Sequence, residues 1–247
     1  MKTKKTLIII LSIVSLILLS ITVVLSCILL VNRKKLIDNK TDIEKYYDIK
    51  CAAFSAQNFN ASKGQIVFIG DSITDLYILD DHYSKLDLAT YNRGIGGDTT
   101  SGVLKRLQVS LFDIKPSKVV LLIGTNDINS NVYDGAINRY EQIIDNIYKE
   151  LPEVELYCVS VIPQNDDIEA FSGERIQENN NKVVELNEGI KKLTAKYGAT
   201  YIDLFSQISD ENNCLIKDYS DDGLHLNVKG LSVWTELMMP YFSSNNE

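Results

Sequence analysis

Ile66-Val67-Phe68-Ile69-Gly70-Asp71-Ser72 is the stretch on which the fold turns. Four consecutive apolar residues read as a strand buried on both faces, because a half-solvated strand would alternate apolar with polar. Gly70 and Asp71 break the run, and Ile73, Leu76 and Tyr77 then begin a helical spacing. Ser72 therefore stands where a buried strand hands over to a helix.

The same handover recurs downstream. Ala89–Asn92 is a weaker strand, followed by a glycine-rich turn and a helix bearing Val103, Leu104, Leu107 and Leu111. Val119–Ile123 is the strongest buried strand. Ile137, Tyr140, Ile144, Ile147 and Leu151 mark a helix stopped by Pro152. Val154–Ile162 is a fourth strand, and Val183, Leu186, Ile190, Leu193 and Tyr197 repeat at helical spacing, with Gly198 placed as the left-handed residue after them. Ala199–Leu204 is the fifth strand, and Asn227 is a candidate cap for a last helix with Val228, Leu231, Trp234 and Met238. Strands alternating with amphipathic helices predict an α/β domain: one parallel five-stranded sheet covered on both faces. Ligands of such sheets bind beyond the carboxyl ends of the strands.

Four islands lie at or near those ends: Gly70-Asp71-Ser72-Ile73, Gly94-Ile95-Gly96-Gly97-Asp98-Thr99-Thr100, Gly124-Thr125-Asn126-Asp127 and Asp222-Gly223-Leu224-His225-Leu226. A serine is a weak nucleophile until a base takes its proton, and a histidine held by a carboxylate is the usual base. The chain has 2 histidines. His225, with Asp222 three residues earlier, is the candidate base, and Ser72 is the candidate nucleophile. Attack on an ester puts negative charge on oxygen, which needs preorganised donors. The backbone N–H of Ser72, the backbone N–H of Gly97 and the side-chain amide of Asn126 are candidates for that oxyanion hole.

Each element alone has an ordinary explanation. A serine after a strand is most often a helix cap, a glycine-rich turn is most often only a turn, and a lone histidine is most often structural. Asp98 reads as a cap of the following helix, Asp71 as a brace for the serine turn, and Arg93 as a surface residue. His82, in Asp80-Asp81-His82-Tyr83, is a rival base, expected at the solvated end of the first helix. Gly94-x-Gly96-x-x-Thr99 lacks the third glycine of a dinucleotide fingerprint, and no phosphate-binding G-x-x-x-x-G-K-[ST] loop exists. All four islands together, in this order, outweigh the separate readings.

The islands resemble those of the SGNH hydrolases, also called the GDSL-type esterase/lipase family, over roughly Gln65 to Tyr241. The family's Ser, Gly, Asn and His fall on Ser72, Gly97, Asn126 and His225, with Asp222 in the D-x-x-H motif. Gly97 rather than Gly96 matches because the family's oxyanion glycine directly precedes the aspartate, here Asp98. Ile73 replaces the name-giving leucine. The Gly-Ile-Gly-Gly-Asp turn looks most like the branch that includes platelet-activating-factor acetylhydrolase subunits. The resemblance implies a flavodoxin-like three-layer α/β/α sandwich, an acyl-enzyme, and no metal or other cofactor. The G-x-S-x-G elbow of α/β-hydrolases is absent, as it is in that family.

Upstream, residues 1–6 form a basic tail and Leu7 to Val31 carries no charge. Twenty-five helical residues would reach about 37 Å, against a hydrocarbon core of about 30 Å. Residues 7–31 are therefore read as a single transmembrane segment. Val24-Leu25-Ser26-Cys27 loosely matches a lipoprotein cleavage box, but the apolar run continues past Cys27, which favours a retained anchor over a cleaved signal. The Lys and Arg count does not favour an outside domain; a short basic tail before a long apolar run does, and an extracytoplasmic domain on the cell membrane is expected. Residues 32–64 read as a polar stalk with a short helix (Ile43, Tyr46, Tyr47, Cys51, Phe54), and 65–247 as the hydrolase domain.

The formal net charge is −8, no basic face stands out, and nucleic acid is not an expected partner. No zinc-ligand spacing occurs. Cys51, Cys158 and Cys214 leave two options open, a Cys51–Cys214 disulfide or three free thiols. The expected function is a membrane-anchored serine esterase acting on short-chain esters, acetyl above all, of a small molecule or a surface glycan. A non-catalytic glycan-binding module and an O-acyltransferase are the alternatives, and the oligomeric state stays open.

Overall fold

Strand side chains point alternately to opposite faces, and in the computed structural model both faces of the central strands are buried. It describes residues 15, 16, 18–26, 28, 29, 41–130, 132–165 and 176–243. Strands β1 (Ile66–Gly70), β2 (Thr90–Gly94), β3 (Lys118–Leu122), β4 (Glu155–Val159) and β5 (Thr200–Ile202) form one parallel sheet in the order β2-β1-β3-β4-β5. Val67, Ile69, Val119, Leu121, Leu156 and Cys158 enter one core layer; Ile66, Phe68, Val120, Leu122, Tyr157 and Val159 enter the other. Helices α4 (Thr100–Leu107), α6 (Ala136–Glu150) and α7 (Ile176–Tyr197) cover the first layer. Helices α2 (Ser72–Asp75), α3 (Leu79–Tyr83), α8 (Phe205–Ile208) and α9 (Val228–Phe242) contribute to the second. Helix α5 (Thr125–Asn129) follows β3. The predicted five-stranded three-layer sandwich is the fold observed.

The order of the strands decides where a ligand can bind. After β1 the chain moves outward to β2, then crosses back to β3 on β1's other side. The crevice at the carboxyl ends of β1 and β3 is the switch point of such a sheet. Ser72 follows β1 and Asn126 follows β3. A Cβ on Gly94, the last residue of β2, would lie 2.2 Å from the backbone nitrogen of Asp75, so glycine there lets α2 pack directly on the strand end.

Helix α1 (Asp42–Asn58) begins with a capping box: Thr41 N donates to Glu44 Oε2 at 2.8 Å, and Glu44 N donates to Thr41 Oγ1 at 3.2 Å. The chain divides into two compact units, Met1–Lys45 and Tyr46–Glu247. Of the expected membrane span at 7–31, residues 7–14, 17, 27, 30 and 31 lie outside the described residues, as does the stalk from 32 to 40; among the described residues no helix is long and apolar enough to cross a membrane.

Two expectations are corrected. The predicted strand Val154–Ile162 leaves the ladder after Val159. Beyond it, Asn187 on α7 clamps Val161 by accepting from its N–H at 2.8 Å and donating to its carbonyl at 2.9 Å. Asn180, two turns earlier, does the same to Gln164, at 2.8 and 2.9 Å. Two side-chain amides thus replace a neighbouring strand. The helix expected to run on from Ser72 is a single turn, and Leu76 is exposed. Of the two options left open for the cysteines, the Cys51–Cys214 disulfide is not formed.

Candidate active site

The turn from Ser220 to Asn227 is closed by local chemistry. Ser220 and Leu226 form an antiparallel bridge, Gly223 takes a positive φ of 84°, and Ser220 Oγ accepts from Gly223 N at 2.9 Å. Asn227 caps α9 as expected, accepting from Lys229 N and Gly230 N. Asp222 Oδ1 accepts the backbone N–H groups of Leu224 (2.9 Å) and His225 (2.8 Å), which leaves Oδ2 facing the imidazole. His225 Nδ1 lies 2.6 Å from Asp222 Oδ2, and its Nε2 lies 2.9 Å from Ser72 Oγ, across 153 residues of sequence. Burial pushes the Asp222 carboxyl up, but the His225 ring and the two backbone N–H groups outweigh it and hold the group below the usual carboxylate range. An ionised Asp222 keeps the Nδ1 proton in place, so Nε2 is free to accept from the serine.

Ser72 opens α2, whose cap is Asp71: Asp71 Oδ1 accepts from Ile73 N at 3.0 Å, the brace expected for the serine turn. Among the described residues the backbone N–H groups of Ser72 and Gly97 donate to no protein acceptor. Asn126 Nδ2 donates one hydrogen to Asp98 O at 2.9 Å, which holds the amide beside the glycine turn and leaves its second hydrogen for a ligand. A Cβ built on Gly96 would stand 4.0 Å from Ser72 Cβ, so that turn borders the serine directly. The structure thus brings together Ser72, His225 and Asp222, with the Gly97 turn and Asn126 beside them. Such an arrangement can deprotonate a hydroxyl and receive negative charge on an adjacent oxygen. Among the described residues no cluster of His, Cys, Asp or Glu could hold a metal ion.

His82 is not part of this group. Its Nδ1 lies 2.8 Å from Thr235 Oγ1, and its ring packs edge-on against Tyr77 with centroids 5.0 Å apart. Asp98 does not cap α4, a role that falls to Thr99. Asp98 instead accepts from Arg106 Nε at 2.7 Å, the two side chains being 2% and 1% exposed. The same guanidinium donates to Arg93 O (2.7 Å), Gly70 O (2.9 Å) and Ser110 Oγ (2.9 Å). Arg93, read as a surface residue, is buried: it donates to Gln57 and Asn58 of α1 and lies over the Phe54 ring. Sequence reasoning missed Arg106 and the network on Asp127, which accepts from Thr100 N (2.9 Å), Thr100 Oγ1 (2.6 Å) and Arg139 (3.0 Å). The only available signal was an arginine three residues after Val103, on the apolar stripe of α4.

Asp71 carries a testable charge. It is fully buried and its Oδ2 has no hydrogen-bond partner among the described residues. Burial foremost, then the nearby Asp98 and Asp127, raise it from 3.8 to about 7, against the lowering effect of the Ile73 N–H. Between those values the unfolded chain ionises while the folded one keeps its proton. This contribution to stability therefore falls as pH rises from about 4 to about 7 and is level above that. Asp71→Asn keeps the acceptor for Ile73 and removes the titration. Denaturant unfolding of both proteins across pH 4–8 is expected to give a flatter profile for the variant, with a relative gain on the order of 4 kcal/mol at the upper end. Parallel profiles would refute a protonated Asp71.

Comparison with known proteins agrees with the geometry. Residues 68–232 match the model of the GDSL-like Lipase/Acylhydrolase family. The alpha2 subunit of platelet-activating factor acetylhydrolase IB from Rattus norvegicus is 32% identical over 104 residues, which span 41% of this chain and 45% of that protein. The matched stretch is thus less than half the length of that relative. A structure from Streptococcus pneumonia, assigned to a platelet activating factor, is 28% identical with a TM-score of 0.75, covering 86% of this chain and 99% of its own. A GDSL-like lipase from Bacteroides thetaiotaomicron shares the fold, with a TM-score of 0.68 at 20% identity over 78% of this chain and 96% of its own.

Proposed function

Because the chain belongs to the GDSL-like lipase/acylhydrolase family, a class of ester-cleaving hydrolases, we propose that it is a serine esterase removing short acyl groups through an acyl-enzyme. The observation that carries this reading is the run of contacts from Asp222 through His225 to Ser72, at 2.6 and 2.9 Å. Ser72 Oγ attacks the ester carbonyl and passes its proton to His225 Nε2. The oxygen that gains charge is met by Ser72 N, Gly97 N and Asn126 Nδ2. Collapse transfers the proton from His225 to the leaving oxygen and leaves the acyl group on Ser72. Water then repeats the sequence with His225 as base, releasing the acid. Two similarities support an acetyl or other short acyl group: the acetylhydrolase relative, and the glycine turn beside the serine.

The uncharged run from Leu7 to Val31 supports a membrane anchor upstream of the domain, with acetylated surface glycans as the matching substrate on the outer side. Protease digestion of intact cells tests the side: the domain is expected to be cut without lysis. For the chemistry, hydrolysis of p-nitrophenyl acetate by the purified chain is the direct assay. Asn126→Ala is expected to lower kcat by about 10²–10³ with little change in KM, since its amide is aimed at charge that develops only during reaction. A near-normal kcat would remove Asn126 from the hole.

A further inference from the structure

The two backbone donors of the oxyanion hole come from different elements. Ser72 N opens α2, whereas Gly97 N lies in the turn 95–98 that follows β2. Asp98 N closes that turn by donating to Ile95 O at 3.1 Å. Gly97, its third residue, has a positive φ of 77° and Gly96 does not, the pattern of a type II turn. Both central residues are glycines, whose backbone is free to rotate to either sign of φ. Local sterics therefore leave the direction of the Gly97 N–H open, and its surroundings must fix it.

Both ends of the turn are held. Ile95 N donates to Gly70 O at 3.1 Å; Asp98 is gripped by Arg106 through its side chain (2.7 Å) and by Asn126 through its carbonyl (2.9 Å). At the crown, Gly96 N donates to Asp75 Oδ2 at 3.0 Å. Asp75 closes α2, three residues after Ser72. One carboxylate thus joins the helical turn that carries Ser72 N to the residue beside Gly97 N. It is itself seated from α1: Tyr46 Oη donates to its Oδ2 and Lys50 Nζ to its Oδ1, both at 2.6 Å. The hydrogen bond to Asp75, then burial, raise the Tyr46 phenol to about 12, so it stays a neutral donor.

A carboxylate at this place has an electrostatic drawback, because negative charge near the hole opposes the negative charge that forms there. The Lys50 ammonium answers it. The Asp75 and Lys50 side chains are 12% and 24% exposed, so solvent screens the pair only in part.

We propose that Asp75 is a positioning residue that sets the Gly97 N–H against the Ser72 N–H, and that Lys50 neutralises it so that the developing oxyanion is not repelled. Helix α1, upstream of the matched family region at 68–232, then serves the transition state through Asp75. The inference rests on the esterase reading above. Donors that act on charge formed only during reaction change kcat rather than KM.

The test uses the full-length chain in detergent with p-nitrophenyl acetate. Asp75→Ala is expected to lower kcat by about 10–100-fold, less than the outright loss of a donor, with KM within about twofold of wild type. Lys50→Met leaves the carboxylate unbalanced and is expected to lower kcat by about tenfold. Adding Asp75→Asn to Lys50→Met keeps an acceptor for Gly96 N without its charge, and is expected to restore kcat to within about threefold of wild type. A merely structural tie would not be rescued by this second change. Should Asp75→Ala fail to fold, Lys50→Met and the double variant decide. An unchanged kcat in folded Asp75→Ala, a loss that appears in KM alone, or a double variant slower than Lys50→Met overturns the proposal and leaves the esterase reading intact. A wild type that does not hydrolyse the ester overturns both.

Discussion

Ser72→Ala is expected to lower kcat for p-nitrophenyl acetate by about a millionfold, while KM and the thermal midpoint change little. The size follows from what the substitution takes away. Ser72 Oγ is the oxygen 2.9 Å from His225 Nε2, and its removal leaves the base with no proton to take and the carbonyl with no attacking atom. The backbone N–H of residue 72 survives in alanine, so the oxyanion donors stay and a residual rate above that of free water persists. Stability is spared because Ser72 is only partly buried and the cap of α2 belongs to Asp71. A fluorophosphonate probe gives an independent readout: mass spectrometry is expected to find the adduct on the Ser72 peptide of wild type and none on the variant. A variant that keeps activity within tenfold of wild type would mean the reaction does not pass through this hydroxyl.

The second large effect is Asp222→Asn, expected to cost about 10⁴ in kcat. An asparagine fits the same turn, because its Oδ1 can still accept from Leu224 N and His225 N. What faces His225 Nδ1 is then an amide that donates. The imidazole responds by moving its proton to Nε2, the nitrogen that has to accept from Ser72, and the base is lost through its tautomer alone. Asp222→Ala would confuse this with a disordered turn, so the isosteric change is the informative one. Burst kinetics with p-nitrophenyl acetate locate the defect: both acylation and deacylation are expected to slow, because His225 serves in each. If Asp222→Asn turned over at a near-native rate, the carboxylate would be only a turn brace.

How much of this the sequence discloses depends on the range of the interaction that decides each element. Buried parallel strands declare themselves in continuous apolar runs, so all 5 strands were legible with end errors of a few residues. The four islands also converge as expected, because glycine turns and strand ends are local features. Interactions between distant side chains were not legible. Nothing near Val161 or Gln164 announces that Asn187 and Asn180 will complete their hydrogen bonding, so the apolar run overstates the length of the fourth strand. Asp98 looks like a cap in the sequence because its partner, Arg106, lies hidden on an apolar helix face. Arg93 looks exposed in the sequence because a lone arginine carries no sign of the three residues of α1 that bury it. Asp75 and Tyr46, 29 positions apart, show no pattern that joins them.

The Arg106 guanidinium fixes an asymmetry in how this enzyme can change. Gly70, Arg93 and Asp98 all depend on one desolvated cation, and stripping a buried charge of its partner typically costs 3–5 kcal/mol. The floor beneath the nucleophile is therefore close to immutable, and random variation there yields misfolded protein before it yields new chemistry. The exposed face of α1, with Ile43 and Ile49 at the surface, carries no such dependence.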